Sequence, residues 1–167
     1  MTTPSDDPRF LTGIELLRSR KWFDAHEALE DLWGETEPGA WREFLQGLIQ
    51  HAVALEHLQR GNALGCFNVW SKARGKLKAL DDWVAGVGVG PWSEVLVRFY
   101  TDDVGLADRV RQQLEGGVAA GEEHIDMGAL PPLETWPQPP LSSELEARLD
   151  DRHEPQKPDP HQQDAED

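Results

Sequence analysis

Residues 22–35, WFDAHEALEDLWGE, decide how this chain is read, because they place ionisable side chains where an amphipathic helix carries apolar ones. Wound at roughly 100° per residue from Trp22, the side chains of Phe23, Ala25, Leu29, Leu32 and Trp33 spread over one half of a helix. His26 and Glu30 fall inside that apolar arc. Asp24, Asp31 and Glu35 gather on the opposite side, and Glu27 lies on the border. The pattern is therefore a core-facing helix with two polar groups out of place, and a turn at Glu37, Pro38 and Gly39 ends it.

The neighbouring stretch repeats the anomaly. Residues 40–60 predict a long third helix whose apolar face, Trp41, Phe44, Leu45, Leu48, Ile49, Ala52, Leu55 and Leu58, is wide enough to be covered on more than one side. On the same wheel His51 falls between Leu58 and Phe44, and Glu56 between Leu45 and Ile49. Gln46, Gln50 and His57 form a polar strip, with Gly47 and Ala54 beside it as small residues that admit a neighbouring helix closely. Upstream, Phe10, Leu11, Ile14 and Leu17 predict a short first helix after a frayed lead-in over residues 1–7, with Arg18, Arg20 and Lys21 suited to its C-terminus.

Downstream, the Gly61-Asn62 turn opens a fourth helix over residues 63–84, with the stripe Cys66, Val69, Trp70, Ala73, Leu77, Leu80 and Val84. The glycine-rich residues 86–91 read as a connection, since no strand precedes them to make a phosphate-binding loop. Two shorter helices follow over residues 92–100 and 104–114. Five prolines in ALPPLETWPQPPL, residues 129–141, predict an extended strap along which Leu130, Leu133 and Trp136 lie against the bundle. From residue 142 onward nine acids against three bases, with Leu145 and Leu149 the sole large apolar residues, have the composition of a disordered tail. The reading is thus an all-α, single-domain bundle of five or six helices over residues 1–141, and an acidic tail over residues 142–167. The tail histidines His153 and His161 have no periodic partner and are not read as ligands.

Composition narrows the function. The chain has 167 residues, 16 lysines and arginines against 31 acids, and a net charge of −15. Phosphate binding rests on clustered positive charge, so this balance argues against nucleic acid and anionic membranes as partners. A lone Cys66 cannot form an internal disulfide, the N-terminus lacks a signal-peptide pattern, and no apolar run approaches a membrane span, so the protein is expected in the cytoplasm.

The candidate polar site is His26, Glu27, Glu30, Gln46, Gln50, His51 and Glu56. His26 and Glu30, four apart, are neighbours on one helix face. One reading makes them, with Glu27 and with His51 or His57 of the third helix, a metal-dependent hydrolase-like centre or a small-ligand site, the metal candidates being His26, Glu30 and His51. The spacing meets neither the zincin motif nor the paired Glu-x-x-His of di-iron bundles. The other reading, preferred here, makes the four inward groups a buried polar network that satisfies itself, His26 donating to Glu30 or Glu56 and His51 to a backbone carbonyl. No cofactor follows from it. The tryptophans read as core and edge packing, and Cys66, mid-stripe without a basic neighbour, is not a nucleophile.

FDAHEALEDLW, then REFLQGLIQHAVALEHLQRGN, then ALGCFNVWSKARGKL resemble the bacterial helical family catalogued as domain of unknown function three hundred and nine. The resemblance rests on the aromatic-x-AHE-x-x-E-x-x-W segment at Phe23 to Trp33, the QGLIQ segment at Gln46 to Gln50, and Gly61-Asn62, in that order. It implies a compact all-α bundle and brings no activity with it. The expected role is a non-catalytic binding or interaction module, with a second copy of the chain or a helical protein as partner through apolar surface left by seven tryptophans.

Overall fold

The computed structural model of the chain describes residues 3–117 and 129–153. It is all-α. Seven helices are present among the described residues: α1 (Pro8–Arg18), α2 (Trp22–Gly34), α3 (Ala40–Gln59), α4 (Ala63–Lys78), α5 (Val89–Arg98), α6 (Leu106–Glu115) and α7 (Ser143–Asp151). The sole β-type pairings there are isolated bridges from Val87 to Val84 and to Leu141. No described helix is long and apolar enough to cross a membrane.

The order of packing follows from short connections. α1, α2, α3 and α4 each lie against the next, since a turn of a few residues leaves antiparallel contact as the compact solution. α3 is the central element: Phe44, Leu45, Leu48, Ala52, Leu55 and Leu58 are all buried, in agreement with its wide apolar face. The close approach expected at Gly47 is made by Leu77 of α4, whose side chain occupies the space a Cβ would need. α4 is capped by Asn62, whose side chain accepts from the Gly65 amide at 2.9 Å, satisfying one of the free donors of the first turn. That same Asn62 carbonyl oxygen accepts from Gln113 Nε2 at 3.0 Å, and Gln113 in turn accepts from the Leu64 amide at 2.9 Å, so a fully buried glutamine ties α6 to the start of α4.

α4 stops at Lys78, short of the expected residue 84, and the glycine-rich stretch supplies the first turn of α5. Ala85 and Gly86 both take positive φ, and together with the reciprocal Val84–Val87 backbone bonds they make a tight reversal, as adjacent left-handed residues do in two-residue turns. A side chain at position 86 would strike Ser142 Oγ and Leu145, so glycine is required there on both counts.

The proline-rich strap lies along the bundle as expected, extended except for a 3-10 turn at Leu133–Thr135. Trp136 is buried, stacked on Trp22 with centroids 6.5 Å apart and packed on Phe99 at 5.4 Å. Its carbonyl accepts from Arg20 Nε at 2.9 Å, and the Trp92 indole donates to Pro137 O at 3.2 Å. Leu133, by contrast, is exposed.

Two expectations are corrected. Residues 3–7 are not a frayed lead-in: Pro4–Asp6 form a 3-10 turn, and Asp6 accepts from the Thr3 amide and hydroxyl at 2.9 and 2.7 Å. Those bonds, led by the Thr3 hydroxyl, hold the Asp6 carboxyl below its ordinary range. Nor is packing finished at residue 141. Ser142 caps α7 by accepting from the Leu145 amide at 3.2 Å, and Leu145 and Leu149, four apart, are buried. Arg148 then donates to Ser5 O and Asp6 at 2.8 Å each, and Arg152 to Thr12 at 2.7 Å. His153 meets Glu15. Composition missed this because two leucines at helical spacing bury as a pair, whatever the charge around them. Residues 154–167 of the expected tail, His161 included, lie outside the described residues.

This docking is testable. Leu149→Ala should cost about 2–5 kcal/mol in urea unfolding, as for other buried leucines, whereas Glu146→Ala on the exposed side of α7 should stay within about 0.5 kcal/mol. Equal, negligible effects would mean that α7 is detached in solution.

Candidate functional site

α2 and α3 are antiparallel about the 35–39 connection, which sets His26 within about one helical turn, in height, of Gln50. The polar residues singled out in the sequence nevertheless do not converge. His26 Nε2 and Glu30 Oε2 are 2.8 Å apart, the pair expected from their spacing, but the side chains are 22% and 56% exposed. Glu27 is exposed, and Gln46 and Gln50 are half-buried. Phe23, 44% exposed, sets its ring edge-to-face with His26 at 5.6 Å. Further along α2, Trp33 is covered by the Arg42 guanidinium, 4.0 Å from the ring, and Arg42 donates to the carbonyls of Trp33 and Thr36 at 2.8 and 2.6 Å. Such a cation over a ring face is held by the ring quadrupole. The result is an aromatic and polar outer face on α2.

Glu56 goes elsewhere, pairing with Arg60 at 2.6 Å along α3. His57 Nδ1 lies 3.3 Å from Asn62 Nδ2 and accepts from it. Burial lowers the His57 pKa, because the charged ring loses solvation. His51 has the most unusual environment. It lies one turn from Gly47, on the face that α4 approaches, and is fully buried against Trp92 with ring centroids 4.9 Å apart. Neither ring nitrogen has a hydrogen-bond partner among the described residues. Burial foremost, and then the nearby Arg74 charge, push its pKa down to about 3, so it is neutral at ordinary pH.

The preferred sequence reading of one buried, self-satisfied network is therefore corrected. His26 bonds at the surface to Glu30, one of its two expected partners, Glu56 bonds to Arg60, and among the described residues His51 has no partner in place of the expected backbone carbonyl. The wheel placed all four inward because it counts apolar arc, whereas α2 is covered on part of that arc alone. The metal reading loses its third ligand by the same geometry: His26 and Glu30 offer two adjacent donors, and among the described residues no three His, Cys, Asp or Glu side chains gather around one point. Cys66 is buried, which pushes its thiol up to about 12 and keeps it protonated beside Tyr100. Sequence reasoning missed Gln113 altogether, although a glutamine on the apolar side of a short helix is the same kind of signal that drew attention to His51.

Two consequences can be measured. A pair whose carboxylate is exposed and whose imidazole is only partly covered contributes little, so His26→Ala and Glu30→Ala should each change stability by less than about 1 kcal/mol. His51 should show in the pH dependence. Its folded pKa lies below the unfolded 6.5, so the unfolded chain binds the extra proton and stability falls as pH drops from 6.5 toward about 3. His51→Met should reduce that slope between about pH 6.5 and 4.5, leaving the part due to His57, whose pKa burial also lowers, in a window above the range in which Asp6 and Asp7 titrate. Because the stranded polar atoms go with it, stability at pH 7 should be unchanged or higher. A steeper acid loss in His51→Met would contradict this assignment.

Comparison with known proteins finds similarity in the N-terminal part of this arrangement. Residues 10–69, covering α1 to α3 and the first part of α4, match the family model described as Domain of unknown function (DUF309). An uncharacterized protein from Bacillus subtilis (strain 168), YpuF, is 40% identical over 52 residues, which make up 31% of this chain and 30% of the relative. The chain thus spans less than a third of the length of the curated relative it matches. No solved structure matches. The matched segment carries the His26–Glu30 pair, Trp33, the Gln46–Gln50 segment and Asn62, and it is in this segment that the chain is similar to the DUF309 family.

Proposed function

We propose that this protein is a non-catalytic interaction module, and that it receives a protein partner on the outer face of α2. The observation that carries the proposal is the exposed Phe23 ring set against a His26 already oriented by Glu30. An aromatic side chain with a pre-positioned polar pair has the composition of an interface anchor: the ring offers apolar area at little entropic cost, and the fixed imidazole offers direction. The charge balance favours a protein over a nucleic acid or an anionic membrane. A cytoplasmic setting, in which the single thiol of Cys66 stays reduced, belongs to the same proposal.

A second reading keeps the same two residues for a different use. His26 Nε2 and Glu30 Oε2 lie 2.8 Å apart on an open face. Together they can chelate a divalent metal whose remaining ligands come from water or another molecule. Loading the protein with zinc separates the two readings.

The test is site-specific photocrosslinking in the producing cell, with the photoreactive residue at Phe23 and, as control, at Lys72 of α4. A discrete adduct from position 23, lost in the His26→Ala/Glu30→Ala double variant, is expected. No adduct above the Lys72 control would overturn the interaction reading. Near-stoichiometric zinc, abolished by His26→Ala, would replace it with the metal reading.

A further inference from the structure

A groove of about 460 Å³ runs between the C-terminal half of α4 and the first turns of α5. Its two walls differ in sign. Arg74 and Lys78, one turn apart, line the α4 side, and Asp82 and Glu94 line the side of α5 and the segment leading to it. Among the described residues none of these four enters an ion pair, whereas Lys76, between the two bases on the same helix, is paired with Glu43 at 2.7 Å. Opposite charges that face each other without meeting are an unused electrostatic dipole.

Two of the four are held in place by the protein. Arg74 is drawn over the Trp70 ring, 5.1 Å from its centroid, an arrangement favoured by the ring quadrupole. The Asp82 side chain lies where a Cβ on Gly90 would be, and the Gly90 amide donates to the Asp82 carbonyl at 3.0 Å. Any larger residue at position 90 would displace that carboxylate. Leu80 and Val97 add apolar lining between the charged walls, and the volume is in the range of small-molecule sites.

We propose that this groove binds a small zwitterion with an aliphatic group, of the class of amino acids and short peptides with free termini. The carboxylate would face Arg74 and Lys78, the ammonium Asp82 and Glu94, and the aliphatic part Leu80 and Val97. A simple anion fits less well, because the acidic wall and the net charge of −15 both repel it. A zwitterion enters without net charge and satisfies both walls at once. The site is separate from the outer face of α2 and does not depend on what that face binds.

The experiment is an amide-resolved NMR titration of the full chain with L-leucine and, separately, glycyl-L-leucine, which differ in the separation of their charged ends. Isovalerate and isopentylamine, each carrying one of the two charges, are the controls. Shifts confined to the groove, residues 71–82 and 90–97, are expected with at least one zwitterion at up to about 10 mM. Whichever zwitterion binds more tightly identifies the free amino acid or the peptide as the better fit. Arg74→Gln and Asp82→Asn, both on exposed positions, should each weaken binding about tenfold or more while the melting temperature stays within about 2 °C. Absence of shifts in the groove with both zwitterions would overturn the proposal. So would isovalerate or isopentylamine binding as tightly as the zwitterion, a result read on the unaltered protein.

Discussion

The close approach of α3 and α4 at Gly47 is the constraint on which the rest of the molecule depends. With Leu77 seated over the glycine, the two helices are drawn together, and the residues on that face of α3 lose contact with water. His51, one turn away, is carried inside with them. Its neutral ring is then a filler between α3 and Trp92, apolar in use although polar in kind. Burial of an unpartnered imidazole is costly, and the surrounding packing has to exceed that cost for this register of α3 against α4 to persist.

The same register puts Gln46 and Gln50 at the half-buried margin of α3 and leaves the outer side of α2 open. His26 and Glu30 therefore belong to a surface, where solvent screens their interaction and where they are free to serve recognition. The elements after α4 close the opposite side. Trp92, Phe99, Trp136, Leu145 and Leu149 come from α5, the π-helical turn at Phe99–Asp103, the strap and α7, and all are buried. The segment that matches the family model, residues 10–69, thus has much of its cover supplied by chain outside that segment.

The sequence made the bundle legible because helical periodicity reports which face is apolar, and in α1 to α4 that face is continuous. Gly47 as a point of close approach, Asn62 as a turn residue and Trp136 on an extended strap could all be seen from residue type and position. The polar residues were harder. A helical wheel shows that His26 and His51 both lie in apolar arcs, but not how far the neighbouring helices extend over each arc, and that coverage makes one a surface group and the other a core group. α7 was hidden for a related reason: its composition is that of a solvated tail, and its two leucines gain their meaning from Gly86, which leaves room for Leu145, and from the acids and backbone near α1 that receive Arg148 and Arg152. Such partners are distant in sequence, and periodicity is local.

The central claim is that the inward-reading polar residues divide into two unconnected groups, one at the surface of α2 and one in the core between α3, α4 and α5. A double-mutant cycle joining His26→Ala and His51→Met, read by urea unfolding at pH 7, tests it most directly. Independent sites give changes that add to within about 0.5 kcal/mol, and that is the result this account predicts. A coupling energy of about 1 kcal/mol or more would mean that the two histidines share a network and would contradict it.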